Sequence, residues 1–368
     1  MSQIICVLSG IYDQNNRKVL LCCKITLMIL GISGGYIMKD RELFDRIAQK
    51  CILGIFTTPP QRVTGGYMHK MYQLQTTTGK YAVKLLNPAI MKKPDALQNY
   101  ARAERLERVL QEAGIPIAPA LEINGRKMHC VNGQYLYVFQ WIEGKALPWD
   151  GIRREHCAIA GELLAKIHKI EQAEQSFVGD ALSIDWDKYI TLADAKCPEI
   201  AQELRVHRKL LYSAQDQYNA ALNSVPPITC ICDGDMDSKN VLWVDGNPVI
   251  IDLECLDYGN PFLEMFQLAL GWSGGVLCNI DYECLNAFLT AYSREYGELS
   301  VNWDGLYGVG FGWLDWLEYN VKRALGIECE HEEERQLGIG QVRETMGRIV
   351  YYDSVRDELL RHLSVVHG

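Results

Sequence analysis

Hydrophobic and polar residues alternate through the stretch GGYMHKMYQLQTTTGKYAVKLLN, with a break at Thr77–Gly79. A period of two on either side of a glycine-containing break predicts two strands joined by a turn. In the second strand Tyr81, Val83 and Leu85 point one way, and Ala82 and Lys84 the other. The period then lengthens. From about Asp95 to Ala113 the residues Leu106, Val109, Leu110 and Ala113 recur at helical spacing. GIPIAPALEI and QYLYVFQWI read as extended segments, and EGKALP as a linker. Beyond about residue 150 the helical period takes over. REHCAIAGELLAKIHKI places Ile159, Leu163, Ile167 and Ile170 on one stripe. PEIAQELRVHRKLLYSAQDQYNAAL reads as a longer helix, stopped by Pro226 and Pro227, and the chain after Pro261 is mostly helical. The pattern predicts an α+β chain, a small β-rich part followed by a larger helical one, with no internal repeat.

One stretch interrupts the helices. CDGDMDSKNVLWVDGNPVIIDLE, from Cys232 to Glu254, sets Asp233, Asp235 and Asp237 side by side ahead of a short apolar hairpin pattern. Like charges this close are costly unless a cation or a proton neutralises them. Asp245-Gly246 signals a turn. Folded with a four-residue loop, Val244 faces Val249, and Val241 faces Asp252, so that Asn240 lies beside Asp252. Asp235 sits on the loop that enters the hairpin. An amide oxygen with a carboxylate is hard-cation chemistry and suits Mg²⁺. A further carboxylate outside that pair is placed as a base, the arrangement phosphoryl transfer requires. An EF-hand loop starting at Asp233 fails, because Ser238 stands where glycine is needed and Val244 where the bidentate glutamate belongs. An aspartyl-phosphatase reading of ITCICDGD leaves Asn240 and Asp252 idle. Taken alone, Asp233 and Asp237 read as a solvated acidic turn.

Composition narrows the ligand. The chain has 368 residues and a net charge of −9, which disfavours nucleic acid and suits a cationic small molecule. Its 13 cysteines follow no regular spacing. Cys230 and Cys232, two apart, have no nearby His or Cys in sequence to complete a metal site. All are read as reduced thiols of a cytoplasmic protein. Near the N-terminus, Val19–Ser33 is apolar but broken by Lys24, and is shorter than the ~20 residues of a membrane span. Residues 1–38 are read as an extension, with the first domain opening at MKDRELFDRIAQK.

DGDMDSKN followed by VIID resembles the aminoglycoside phosphotransferase family, whose pattern is H-G-D-x-x-x-x-N, an apolar hairpin and I-D. That family shares the protein-kinase-like fold and includes choline-kinase-like enzymes. The resemblance covers about residues 39 to 325. It implies a bilobal fold with a nucleotide-binding N-lobe over 39–141 and a catalytic, substrate-binding C-lobe over 142–368. It makes Asp235 the catalytic base, and Asn240 and Asp252 the Mg²⁺ ligands. YGNPFLEM looks like the family's G-D-P-x-x-D-L, with Glu264 for the second Asp. Lys84 in YAVKLL matches the strand lysine that holds the α- and β-phosphates. Its ion-pair partner is expected at Glu104, with Glu107 as the rival. Gly65 and Gly66 resemble the short glycine loop that lets backbone N–H groups approach phosphate. VFQWIEG resembles the interlobe linker, where backbone groups of Gln140 and Ile142 would bind the purine. The chain departs from the pattern at the family's histidine, here Asp233, which when ionised accepts hydrogen bonds but donates none and raises a carboxylate pKa beside Asp235.

The resemblance implies a Mg²⁺-dependent phosphotransferase that moves the γ-phosphate of ATP or GTP to a hydroxyl of a small, cationic molecule. A nucleotide-binding module without turnover and a metal-dependent phosphatase are the alternatives. In GFGWLDWLEYNVKRAL, Trp313, Trp316 and Asn320 share one helical face, and Asp315 and Glu318 another. Aromatic and acidic groups together can hold an ammonium, although an aromatic stripe at this spacing also suits a core.

Overall fold

The structure, a computed structural model, describes residues 33–63, 69–174, 180–299, 301–327, 329 and 331–366. They divide into two compact units. One holds the residues up to Pro88 together with Glu122–Val138, and the other holds Ala89–Leu121 with the chain from Phe139 onward. Residues 89–121, assigned from sequence to the 39–141 domain, thus group with the larger unit. The reason lies in partners that periodicity does not reveal. Ala118 donates its backbone N–H to Ile250 (2.8 Å), and Ile250 donates to Pro116 (2.8 Å), so this segment is bound to the hairpin of the acidic stretch.

The smaller unit is built on a five-stranded sheet of order β1-β2-β3-β5-β4. The strands are β1 Gln61–Val63, β2 Lys70–Gln75, β3 Lys80–Leu85, β4 His129–Val131 and β5 Gln134–Gln140, whose end runs into the other unit. β2 and β3 pair antiparallel from Gln75↔Lys80 to Lys70↔Leu85, with the turn where the sequence pattern breaks. The helix Ser33–Lys50 lays Phe44 against Tyr72, ring centroids 4.6 Å apart. Phe44, Ile47, Leu74, Val83, Leu136 and Val138 are fully enclosed. Residues 1–32, which hold most of the apolar N-terminal stretch, lie outside the described residues.

In the larger unit the helices Arg154–Ile170 and Pro198–Leu222 form where the sequence pattern places them. The first packs on the helix Tyr282–Tyr296. A Cβ on Gly161 would lie 2.3 Å from the Phe288 carbonyl oxygen, so glycine is what lets the two backbones approach. The buried face of Arg154–Ile170 is rotated from the expected stripe. Cys157, Ala160, Leu164 and His168 are buried with Leu163 and Ile167, whereas Ile159 and Ile170 are half-exposed.

Two small sheets carry the acidic stretch. One has the order β10-β9-β6 and the other β11-β8-β7. Their strands are β6 Lys145–Ala146, β7 Gln172–Glu174, β8 Ile228–Cys232, β9 Val241–Val244, β10 Asn247–Ile250 and β11 Asp257–Gly259. The hairpin register differs from the four-residue loop expected. Val244 pairs with Asn247 and Val241 with Ile250. Asp245 (φ 49°) and Gly246 (φ 81°) both take positive φ, the two-residue type I′ turn that matches strand twist. Asp252 therefore lies beyond the paired strands, not opposite Val241. Asn240 is still brought near it, because Ile251 donates its N–H to the Asn240 carbonyl (2.9 Å).

Candidate active site

β8 delivers the chain to the loop Asp233–Asp237, a 3-10 turn Ser238–Asn240 follows, and then the hairpin β9–β10. The chain comes back along β11, which pairs antiparallel with β8 (Asp257↔Cys232, Gly259↔Cys230). This return packs the segment after Asp252 against the loop. Gly234 has φ +80°, and a Cβ there would meet the Cys255 carbonyl oxygen at 2.8 Å, so only glycine fits. Two anchors fix the loop from below. The Trp272 indole donates to the Met236 carbonyl (2.9 Å), and the Ser238 hydroxyl to the Leu147 carbonyl (2.9 Å). Asp252 stands in the left-handed region (φ 65°, ψ 52°), a strained conformation for a residue with a Cβ and one that gathers at functional sites.

Asp235 is held by its neighbours. Its Oδ2 accepts from Asn240 Nδ2 (2.8 Å), which also donates to the Asp235 carbonyl (2.8 Å). Its Oδ1 accepts from Lys239 Nζ (3.0 Å), which also reaches Asp237 Oδ2 (3.2 Å). Burial lifts the Asp235 carboxyl to about 6; the Lys239 ammonium pulls it down, and the charges of Asp237 and Asp252 push it up. Ile251, the residue before Asp252, is bonded to the Asn240 carbonyl (2.9 Å), which keeps the two segments adjacent. With Nδ2 committed, the amide oxygen of Asn240 is the atom this side chain offers a cation. The structure thus gathers three residues singled out from sequence, two carboxylates and an amide oxygen, in one place.

Behind the loop the picture changes. Asp233, expected in a solvated turn, is only 2 % exposed. Its Oδ1 accepts from the Asp235 N–H (3.2 Å), and its Oδ2 has no hydrogen-bond partner. Burial, then the nearby charge of Glu264, raises the Asp233 carboxyl well above the usual range. Glu264 follows an N-terminus capped by Asn260, whose Oδ1 accepts from Phe262 N (3.0 Å) and whose Nδ2 donates to the Pro226 carbonyl (2.8 Å). Glu264 Oε1 accepts the Gly234 N–H at 2.6 Å, and Oε2 lies 2.7 Å from His168 Nε2. His168 Nδ1 is 2.8 Å from the Tyr292 hydroxyl. The sequence reading passed over His168; its signal is a histidine four residues after Leu164, on the apolar face of its helix.

His168 also adjoins Cys230 and Cys232, and the three ligand atoms lie within 4.8 Å of one another. The structure thus supplies the histidine that the sequence lacked near these thiols. In a tetrahedral zinc site, bonds of ~2.0–2.1 Å would set nitrogen and carboxylate oxygen about 3.3 Å apart. The 2.7 Å contact to Glu264 is a hydrogen bond instead, and with Tyr292 on Nδ1 both ring nitrogens are engaged.

The remaining residues singled out from sequence are scattered through both units. Lys84, in β3, is 4 % exposed, which rules out the solvated lysine that a lone strand position would suggest. Glu107 is buried and accepts the Ala120 N–H (3.2 Å), whereas Glu104 is half-exposed. Gln140 ends β5 and is exposed, and Ile142 follows it in irregular chain, half-exposed. Gly65 and Gly66 lie outside the described residues. In the helix Trp313–Ala324, Asn320 is fully buried and donates to the Trp316 carbonyl (2.8 Å), while Trp316 stacks on Tyr319. Among the described residues no helix is long and apolar enough to cross a membrane.

The chain is similar to known phosphotransferases at two levels. Homoserine kinase of Methylobacillus flagellatus is 25% identical over 255 residues, 68% of this chain and 75% of its own length. Among solved structures, spectinomycin phosphotransferase in complex with ADP and spectinomycin superposes with a TM-score of 0.62 at 13% identity, covering 85% of this chain and 98% of that one. Plasmodium vivax ethanolamine kinase gives 0.51 at 16% identity, covering 78% and 80%. At such identities the structural likeness speaks for the fold, the α+β, protein-kinase-like one expected from the sequence. Residues 60–307, more than half of the chain and inclusive of Lys84 and the whole acidic stretch, match the phosphotransferase enzyme family, and to that family the protein belongs.

Proposed function

We propose that the protein transfers the γ-phosphoryl group of ATP or GTP to a hydroxyl of a small molecule that also carries an amine, with Asp235 as the base. The observation that supports this most is the junction of Asp235 with Asn240, at 2.8 Å, beside the strained Asp252. Asn240 and Asp252 would hold Mg²⁺, since their oxygens form a hard donor set. Bound there, the ion would neutralise charge on the phosphate oxygens. Asp235 orients the acceptor hydroxyl and takes its proton. Asn240 fixes one oxygen of that carboxylate, and Lys239 balances the local negative charge. Lys84 is the residue of the smaller unit that the family pattern assigns to the nucleotide phosphates. A loose transition state asks for positioning and charge stabilisation rather than covalent help from the protein.

The acceptor class follows from the relatives. By name they act on homoserine, spectinomycin and ethanolamine, and each of these compounds joins a hydroxyl to an amine. A net charge of −9 favours such cations. The sequence match makes homoserine the first compound to try. Purified protein with MgATP or MgGTP should add one phosphate, detected by mass spectrometry, to at least one of homoserine, ethanolamine, choline, spectinomycin, other aminoglycosides, macrolides and sugars. A chelator should abolish the product. Nucleotide binding without transfer to any of them would leave a nucleotide-binding module. Hydrolysis of phosphomonoesters without nucleotide would favour a phosphatase.

A further inference from the structure

We propose that the smaller unit carries a ligand site of its own, a cavity at the outer edge of its sheet that binds a small organic anion, a carboxylate or phosphate group on an apolar body. The cavity has a volume of about 540 Å³, within the ~300–1,000 Å³ of small-molecule sites. Its mouth is cationic. Lys50, at the end of the helix Ser33–Lys50, and Arg126 line it, and both are exposed. None of the lining residues carries a carboxylate. The chain as a whole has a net charge of −9, so a cavity with cations and no acid runs against the average of the molecule. Ile123, Met128, Cys130 and Tyr135 add apolar surface to its wall.

Local structure holds each of these residues in place. Asn124 (φ 54°) and Gly125 (φ 73°) close a two-residue turn. Across it Ile123 N–H donates to the Arg126 carbonyl (2.9 Å) and Arg126 N–H to the Ile123 carbonyl (3.2 Å), which fixes the backbone that carries the guanidinium. Further on, Met128 and Cys130 are half-exposed while Lys127 and His129 are buried, the alternation of a strand with one face turned to the cavity. β4 is the last strand of its sheet. The Tyr135 carbonyl accepts from Leu86 N–H (2.9 Å), so its backbone turns away from β4, and Cys130↔Tyr135 is a pair that exchanges no hydrogen bonds. The Cys130 carbonyl therefore points out of the sheet edge, where Lys50 Nζ donates to it (2.6 Å), and the N–H of Cys130 points the same way. Charged side chains commonly cover such an edge. Arg46, one turn earlier in the helix, does so between Glu42 and Asn132. Arg126 has no such duty: among the described residues its guanidinium makes no hydrogen bond or ion pair. The guanidinium, the N–H groups that Lys50 has left and the Cys130 amide are all donors, and their complement is an anion.

The test uses the full chain with isotopically labelled methionine methyl groups. The Met128 methyl, assigned by its loss in Met128→Leu, reports by NMR on the cavity itself. Excess MgADP is present throughout, so that a nucleotide site elsewhere does not compete for the probes. Phenyl phosphate, benzoate, inorganic phosphate and benzylamine are titrated separately. Phenyl phosphate or benzoate should shift the Met128 methyl and saturate with a Kd of about 5 mM or tighter, and the tighter of the two identifies the preferred anionic group. Inorganic phosphate, which lacks the apolar body, should bind at least about tenfold more weakly than phenyl phosphate, and benzylamine should leave the methyl unmoved. Arg126→Ala should weaken the tighter probe about tenfold or more, the scale of a lost charge-assisted bond, with the melting temperature unchanged. Lys50→Met should weaken it similarly, and Arg126→Ala carries the test alone if loss of the Lys50 bond to Cys130 prevents folding. A Met128 methyl unmoved by both organic anions at ~20 mM, an equal shift with benzylamine, inorganic phosphate bound as tightly as phenyl phosphate, or wild-type affinity in Arg126→Ala would each overturn the proposal.

Discussion

The loop from Asp233 to Asn240 has a wet face and a dry one, and the same residue type behaves differently on each. On the wet face Asp235 and Asp237 are about one-third exposed and share the Lys239 ammonium. On the dry face Asp233 is enclosed, bonded through one oxygen only, and close to the charge of Glu264. Partial exposure and a shared lysine leave the first pair reachable, and the Lys239 ammonium offsets part of the rise that burial imposes on Asp235. Burial without a cation of its own pushes the Asp233 carboxyl toward its protonated form. The position of the family's histidine is thus held by an enclosed acid, and two acids hold the backbone of the loop. Glu264 holds the Gly234 N–H, and Asp233 holds the Asp235 N–H. Sequence proximity thus says little about shared function: acids two residues apart serve different ends.

The largest expected effect tests that division directly. Asp235→Asn should lower kcat by about 10²–10⁴-fold, the range for loss of a general base, with ADP affinity unchanged. Asp233→Asn keeps the shape of the side chain and an oxygen for the Asp235 N–H, and should change kcat by less than about threefold. If the two variants lose comparable activity, or if Asp235→Asn turns over at the wild-type rate, the contrast between the faces collapses.

Next in size is Gly234→Ala. A left-handed φ costs a residue with a Cβ about 1–2 kcal/mol, and crowding a packed site about 1–3 kcal/mol more. A Cβ 2.8 Å from the Cys255 carbonyl meets backbone that cannot swing away. Urea denaturation should show a loss of about 2–4 kcal/mol. A loss under about 0.5 kcal/mol would mean that the return of the chain along β11 does not confine the loop.

Much of this was legible in the sequence, and the gaps share a physical cause. Helix limits at Arg154–Ile170 and Pro198–Leu222 follow from local periodicity and proline stops, which are properties of neighbouring residues. The proximity of Asp235 and Asn240 follows from a five-residue spacing across one turn. The hairpin register differs from the four-residue loop expected because Asp245 and Gly246 both take positive φ and close a two-residue turn. His168 was missed because its significance depends on Glu264, 96 positions away. The burial of Asp233 depends likewise on packing, and residues 89–121 changed unit because their partners lie around Ile250. Local chemistry can be read from a string, whereas contacts between distant segments require the fold.

A smaller effect separates the dry face by pH. His168 is lifted from an ordinary value near 6.5 to about 9 in the folded chain. A folded-state value above the unfolded one means that the protonated ring stabilises the fold fully below pH 6.5. That contribution fades as pH rises through about 9. The groups facing the ring are Glu264, Tyr292, Cys230 and Cys232. Burial and the neighbouring Tyr296 raise Tyr292, and the Cys230 hydrogen bond with burial raises Cys232, so both move up and away from this window. The stability gap between wild type and His168→Asn should therefore narrow between pH 6 and pH 9.5 in urea titrations. A gap that is constant over that range would show the ring to be neutral throughout.

The smallest effect belongs to the wet face and probes the claim that it is wet. Lys239 bridges Asp235 and Asp237, yet its side chain is 44 % exposed. Ion pairs this open are worth about 0–1 kcal/mol, because water already solvates both charges and the long side chain loses entropy in holding one geometry. Lys239→Met should accordingly cost less than about 1 kcal/mol in urea. The cost should shrink further in ~1 M salt, where the screening length falls to about 3 Å. Salt cannot screen a pair from which water is excluded. A cost above about 2 kcal/mol that survives high salt would therefore place Lys239 and Asp235 in a dry setting, and the two faces of the loop would differ in sequence alone.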